Sequence, residues 1–124
     1  MKRSIRLVIG LLALLSLVVC SCRKKPTVPT FDEALLIGEW IDSTLHEKYL
    51  PEGIGTTWDT YDDVTEEEAD TFNWSFDGSQ LIQEHHMVVG IVPRILTVTK
   101  LDLDSLVYQD SGGLLHHFFR NDTL

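Results

Sequence analysis

The sequence predicts an all-β domain, an antiparallel up-and-down meander of about 7–8 strands that closes into a small barrel behind one short N-terminal helix. Three observations carry this. Phe72, Trp74 and Phe76 alternate with Asn73, Ser75 and Asp77, which is the period of a half-buried strand. The Asp77-Gly78 step that follows is a tight-hairpin signal. No segment supplies the long crossover that parallel strands require. A meander of this many twisted strands removes its exposed edges by closing on itself; an open sheet or small sandwich is the alternative.

The elements follow in chain order. Lys2, Arg3 and Arg6 precede an apolar run from Leu7 to Cys20, 14 residues long. A membrane-spanning helix needs roughly 20. A positive start, a short apolar stretch and a small residue, Ser21, at the cut describe a signal peptide over residues 1–21. An uncleaved anchor stopped by Arg23, Lys24 and Lys25, or plain secretion with a free cysteine, are the alternatives. Residues 22–30 read as a tether stiffened by Pro26 and Pro29.

Residues 31–124 form the domain. Thr30 is placed to cap a helix over Phe31 to Ile37, ended by Gly38. From Trp40 the alternation suits one long strand toward Leu50. Pro51 to Gly55 is a turn, and Thr56 to Tyr61 a strand with Trp58 inside. Asp62 to Asp70 is an acidic loop in which Thr65 and Glu68 form a capping box. After the Phe72–Phe76 strand, Leu81 to Val89 returns as its partner. Ile91 to Lys100 is next, with Pro93 marking an edge or bulge. Ser105 to Gln109 and Leu114 to Arg120 complete the meander around the turn Asp110-Ser111-Gly112-Gly113.

Composition narrows the function. The chain carries 10 basic and 19 acidic residues, a net charge of −9. After signal removal 103 residues remain with seven basic groups, and the net charge falls to −12. So acidic a domain lacks the clustered Lys and Arg that neutralise phosphates, which excludes nucleic acid as a partner. No cysteine follows Cys22, so the domain folds without disulfides. The pairs His85-His86 and His116-His117 each point to opposite strand faces and cannot chelate as pairs. The acidic loop lacks EF-hand spacing. No catalytic motif is present, and the reading is of a non-enzyme with no metal and no cofactor. Trp58, Phe72, Trp74, Phe76 and Met87 are the candidate lining if the barrel holds a cavity.

Two motifs resemble known families. Val19-Cys20-Ser21-Cys22 resembles a bacterial lipobox, which implies that Cys22 is lipidated and anchors the chain in a membrane. With Arg23 rather than aspartate next, the resemblance implies an outer-membrane lipoprotein of the cell envelope facing the periplasm. Gly38-Glu39-Trp40 after a short helix resembles the G-x-W signature of lipocalins. The order of lipobox, linker, G-x-W, aromatic strand ending in Asp-Gly, Val-Thr-Lys-Leu, Asp-Ser-Leu-Val-Tyr and Phe-Phe-Arg is similar to lipocalin-like lipoproteins of Bacteroidota. That resemblance implies a barrel closed at one end by the helix, with Arg120 covering Trp40. It also implies a small apolar molecule or lipid as ligand. The alternative is a filled barrel acting as a protein-interaction or inhibitor module.

Overall fold

The computed structural model describes residues 30–122. The expected signal peptide, the lipidation site Cys22 and the tether up to residue 29 lie outside the described residues. Eight antiparallel strands close into a barrel in strict chain order: β1 (Gly38–Asp42), β2 (Leu45–Leu50), β3 (Ile54–Asp59), β4 (Asp70–Asp77), β5 (Gln80–Met87), β6 (Gly90–Leu101), β7 (Ser105–Gln109) and β8 (Leu115–Arg120). The seam between β8 and β1 is formed by Trp40 opposite Arg120 and Ile41 opposite Phe119. Among the described residues no helix is long and apolar enough to cross a membrane.

Three local expectations are corrected. The N-terminal helix is a single 3₁₀ turn, Glu33–Leu36, and Asp32 rather than Thr30 caps it, accepting from the Ala34 N–H at 3.0 Å. With the cap at Asp32 and β1 opening at Gly38, too few residues remain for α-helical hydrogen bonds to propagate. The long strand toward Leu50 is two strands, because Ser43 adopts a left-handed φ of 56° and the chain doubles back over Ser43-Thr44. Thr65 precedes the 3₁₀ turn Glu66–Glu68 without capping it by its side chain.

One apolar cluster runs through the interior from the N-terminal turn. Leu36, Trp40, Tyr49, Phe72, Trp74, Leu81, Leu96, Val98, Leu101, Leu106, Tyr108 and Phe118 form it, and Phe31, Leu35, Ile37, Leu45 and Phe76 pack against it. Leu36 plugs the barrel, and its carbonyl accepts the Trp40 indole N–H at 2.9 Å. Arg120 lies over that ring, 4.3 Å from its centroid. Its guanidinium donates to the Ile37 carbonyl at 2.9 Å and to the Leu35 and Leu103 carbonyls, each at 2.5 Å. Gly38 sits at φ 134°, and a Cβ there would overlap Arg120 Nη1, so both its conformation and its bareness are needed.

The connections alternate between two ends. The plug end carries the N-terminal turn, Pro51–Gly53, the Asp77–Gln80 hairpin, residues 102–104 and Asn121. The opposite end, the mouth, carries Ser43-Thr44, the acidic connection 60–69, Val88-Val89 and residues 110–114.

Candidate functional site

The strand register sends a set of polar side chains into the barrel toward the mouth. Trp40 faces Glu47, so Glu47 and Tyr49 point inward from β2. Trp74 faces Gln83 and Phe72 faces His85, which turns Gln83 and His85 inward from β5. Arg94 is opposite Gln83 on β6, and Tyr108 is opposite His116 at the β7–β8 junction. A strand of alternating polarity normally turns such residues to solvent. Here Glu47 is 1% exposed and Gln83, Tyr49 and Tyr108 are fully buried.

These groups form one connected network. Tyr108 Oη donates to Glu47 Oε1 at 2.5 Å, and Tyr49 Oη donates to Glu47 Oε2 at 2.5 Å. The Gln83 amide donates to Tyr49 Oη at 2.6 Å and to Glu47 Oε2 at 3.3 Å. The Gln83 carbonyl oxygen accepts from His85 Nε2 at 2.8 Å and from Arg94 Nη1 at 3.4 Å. The glutamine amide therefore bridges opposite charges, its N–H₂ toward the carboxylate and its oxygen toward the guanidinium. Buried polar groups are tolerated only when satisfied in this way.

Burial first, and then the charge of Glu47, push the Tyr49 and Tyr108 hydroxyls far above the usual phenol range. Both stay protonated and donate. Burial first, then the charge of Arg94, holds His85 below the usual imidazole range. A neutral His85 that donates from Nε2 keeps Nδ1 as an acceptor.

Arg94 stands at the mouth side of this network, partly buried. Among the described residues it makes no ion pair: the salt bridges join Glu39–His46, Lys48–Glu66, Lys100–Asp102 and Asp110–His116. Beside it, β6 parts from β7. The β6–β7 ladder begins only at Thr97 opposite Gln109, so Gly90–Leu96 is paired to β5 alone. The gap is a cleft of about 230 Å³ lined by Pro93, Arg94, Ile95, Leu96, Asp110 and Ser111. Pro93, without an N–H, sits in the middle of this free edge and blunts it against strand addition.

The hairpin that projects past the barrel here is apolar and exposed: Met87, Val88, Val89, Ile91 and Val92, with Ile95 on the same strand. Leu114 of the neighbouring mouth connection and Leu115 at the start of β8 are exposed as well.

The five candidate lining residues do not share one surface. Phe72 and Trp74 are packed in the interior, Trp74 donating its indole N–H to the Ile54 carbonyl at 2.9 Å and to the Leu50 carbonyl at 3.2 Å. Phe76 packs on the plug, 6.4 Å from Phe31. Met87 lies exposed at the mouth. Trp58 is a correction: it is buried, but on the outside of the barrel. Its register partner is the outward His46, on which it stacks at 4.8 Å. The acidic connection lies against this face, held there by the 2.8 Å Lys48–Glu66 ion pair.

The paired histidines split as strand geometry requires. His85 and His116 face inward, His116 onto Asp110 at 2.9 Å; His86 faces outward onto Asn73 at 2.6 Å. Among the described residues no group of three or more His, Cys, Asp or Glu is disposed to hold a metal. No family model, curated protein or solved structure matches the chain.

Proposed function

We propose that the chain is a non-catalytic, envelope-tethered binding module that docks a protein partner on its mouth end, the barrel itself being filled. One observation carries this. The barrel axis is occupied at mid-height by Glu47, Tyr49, Gln83, Tyr108 and Phe72, while exposed apolar surface gathers outside, on the β5–β6 hairpin and the adjacent Leu114-Leu115. The cleft beside Arg94, about 230 Å³, is below the roughly 300–1,000 Å³ of an ordinary small-molecule site. Contiguous exposed apolar surface of this kind marks interaction sites. The acidic connection at the same end repels anionic headgroups and favours a partner with an apolar patch and a basic rim.

The test places a photo-crosslinking residue at Ile91 in cells, with Ser75 on the outer face of β4 as control. A discrete protein adduct from Ile91, absent from Ser75 and lost in a Val88→Asp/Val89→Asp background, is the expected result. Stoichiometric small apolar ligand in native mass spectra, or equal adducts from both positions, refutes the reading and favours the small-molecule alternative. The tether has its own test: labelling with a palmitate analogue is expected to vanish in Cys22→Ser, and label persisting in that variant overturns the lipidation.

A further inference from the structure

We propose that the mouth contains a carboxylate seat built on Arg94, with His85 beside it, into which an acidic group of the bound molecule inserts. This rests on the reading of the mouth as the recognition end and names what it recognises. The guanidinium has five N–H donors in a planar fork; its hydrogen bond to Gln83 Oε1 is long at 3.4 Å, and it also interacts with the Tyr108 hydroxyl, contacts that together engage only part of the fork.

The interior carboxylate of the network is Glu47, but Glu47 is claimed by two tyrosine hydroxyls and reaches Arg94 only indirectly, through the Gln83 amide and the Tyr108 hydroxyl. A partly buried guanidinium with an indirect counter-charge is an unspent receptor for a bidentate oxyanion. The surroundings favour one anion class over others. Val92 and Met87, inward neighbours toward the rim, are apolar and half exposed. Pro93, Ile95 and Leu96 line the cleft at Arg94 together with Ser111 and Asp110, whose carboxylate is engaged by His116 and by the Gly112 and Leu114 N–H groups. An acid with a short aliphatic body, whether a free carboxylic acid or a glutamate side chain of the docked protein, matches both the charge and the walls. An inorganic anion matches only the charge. His85, held neutral by burial and by Arg94, adds no second positive charge, so the site suits a monoanion.

The probes are sodium hexanoate and an acetylated, amidated glutamate peptide, titrated into the purified protein at fixed ionic strength and followed by the Arg94 Nε–H and Gln83 side-chain amide NMR signals. Sodium sulfate is the control. Saturable shifts at these two side chains are expected, with affinity at least tenfold weaker in Arg94→Gln and partly restored in Arg94→Lys, which keeps the charge but loses the fork. Saturation by hexanoate alone assigns a free carboxylic acid as the source; saturation by the peptide assigns the partner's side chain. No saturation by either probe, or an unchanged response in Arg94→Gln, overturns the proposal. Should the glutamine variant fail to fold, the wild-type titration and the lysine variant decide the matter. The experiment needs no protein partner, so it separates failure of the carboxylate seat from failure of the docking reading.

Discussion

Replacing Tyr108 with phenylalanine removes one oxygen atom from the centre of the barrel and leaves the ring in place. The ring keeps its neighbours, Phe118 and His116, each 5.2 Å away between centroids. What is lost is the 2.5 Å hydrogen bond to Glu47 Oε1, together with the hydroxyl's interaction with Arg94. Glu47 is 1% exposed, so water does not replace the donor. A hydrogen bond to a charged group is worth about 1.5–3 kcal/mol net, and a buried acceptor left unpaired sits at the upper part of that range. For a domain of this size each kcal/mol moves the midpoint by about 4–8 °C, so a drop on the order of 10 °C or more is expected. Urea unfolding followed by tryptophan fluorescence reads the same loss as a lower midpoint at unchanged slope. A cycle with Glu47→Gln isolates the coupling, which is expected to exceed about 1 kcal/mol. A change within about 0.5 kcal/mol, the scatter of ordinary surface substitutions, would show that Glu47 is not held as described.

Three further predictions concern other parts of the molecule. Gly55→Ala puts a Cβ into the buried Phe72 ring and against the Lys48 carbonyl; overpacking costs about 1–3 kcal/mol, read by thermal melting. Arg120→Met keeps an apolar cover on Trp40 but strips donors from the Leu35, Ile37 and Leu103 carbonyls. Partial exposure allows water to replace some of them, so a loss of about 2 kcal/mol is expected, with near-ultraviolet dichroism from Trp40 diminished; an unchanged melt contradicts the capping role. His85 has a folded pKa below its unfolded value of about 6.5. Its contribution is therefore neutral above that pH and destabilising as pH falls through it, because the unfolded chain takes up a proton the native state refuses. Urea midpoints at pH 7.5 and 5.5 are expected to differ more in the wild type than in His85→Gln. Stability rising toward pH 5.5 would reverse the sign. The depressed carboxyls of Asp59, Asp102 and Asp110 act only at lower pH, as they protonate.

The barrel is legible in the sequence because its signals are local. The Phe72–Phe76 alternation, the Asp77-Gly78 turn and Pro93 each act within a few residues, and the structure places them in β4, its hairpin and a free strand edge. The first hairpin is illegible for the converse reason. Ser43 takes a conformation that glycine or asparagine usually announces, and the alternation of Trp40 to His46 continues through the turn without a break. Trp58 is buried as its apolar bulk suggests, but which face buries it depends on a loop folding back across β2 and β3. The interior network is the least legible part. Glu47, Gln83, Arg94 and Tyr108 sit far apart in the chain and meet only through register, and nothing in a lone strand distinguishes an inward glutamate from a solvated one.

The β8–β1 seam also sets the load path of the molecule. Every other junction in the barrel joins strands adjacent in the chain; this one joins Trp40–Ile41 to Phe119–Arg120 across some eighty residues, and it is the shortest ladder. Both ends of the described chain leave from the plug end, where the Asn121 N–H donates to the Glu39 carbonyl at 2.9 Å. Tension between them would peel the seam one bond at a time instead of shearing the ladder as a unit. Were the N-terminus held at a surface and a pull applied from the C-terminus, the first event would be release of Arg120 from Trp40. The same force applied at the mouth would load the long β5–β6 hairpin and leave the seam closed.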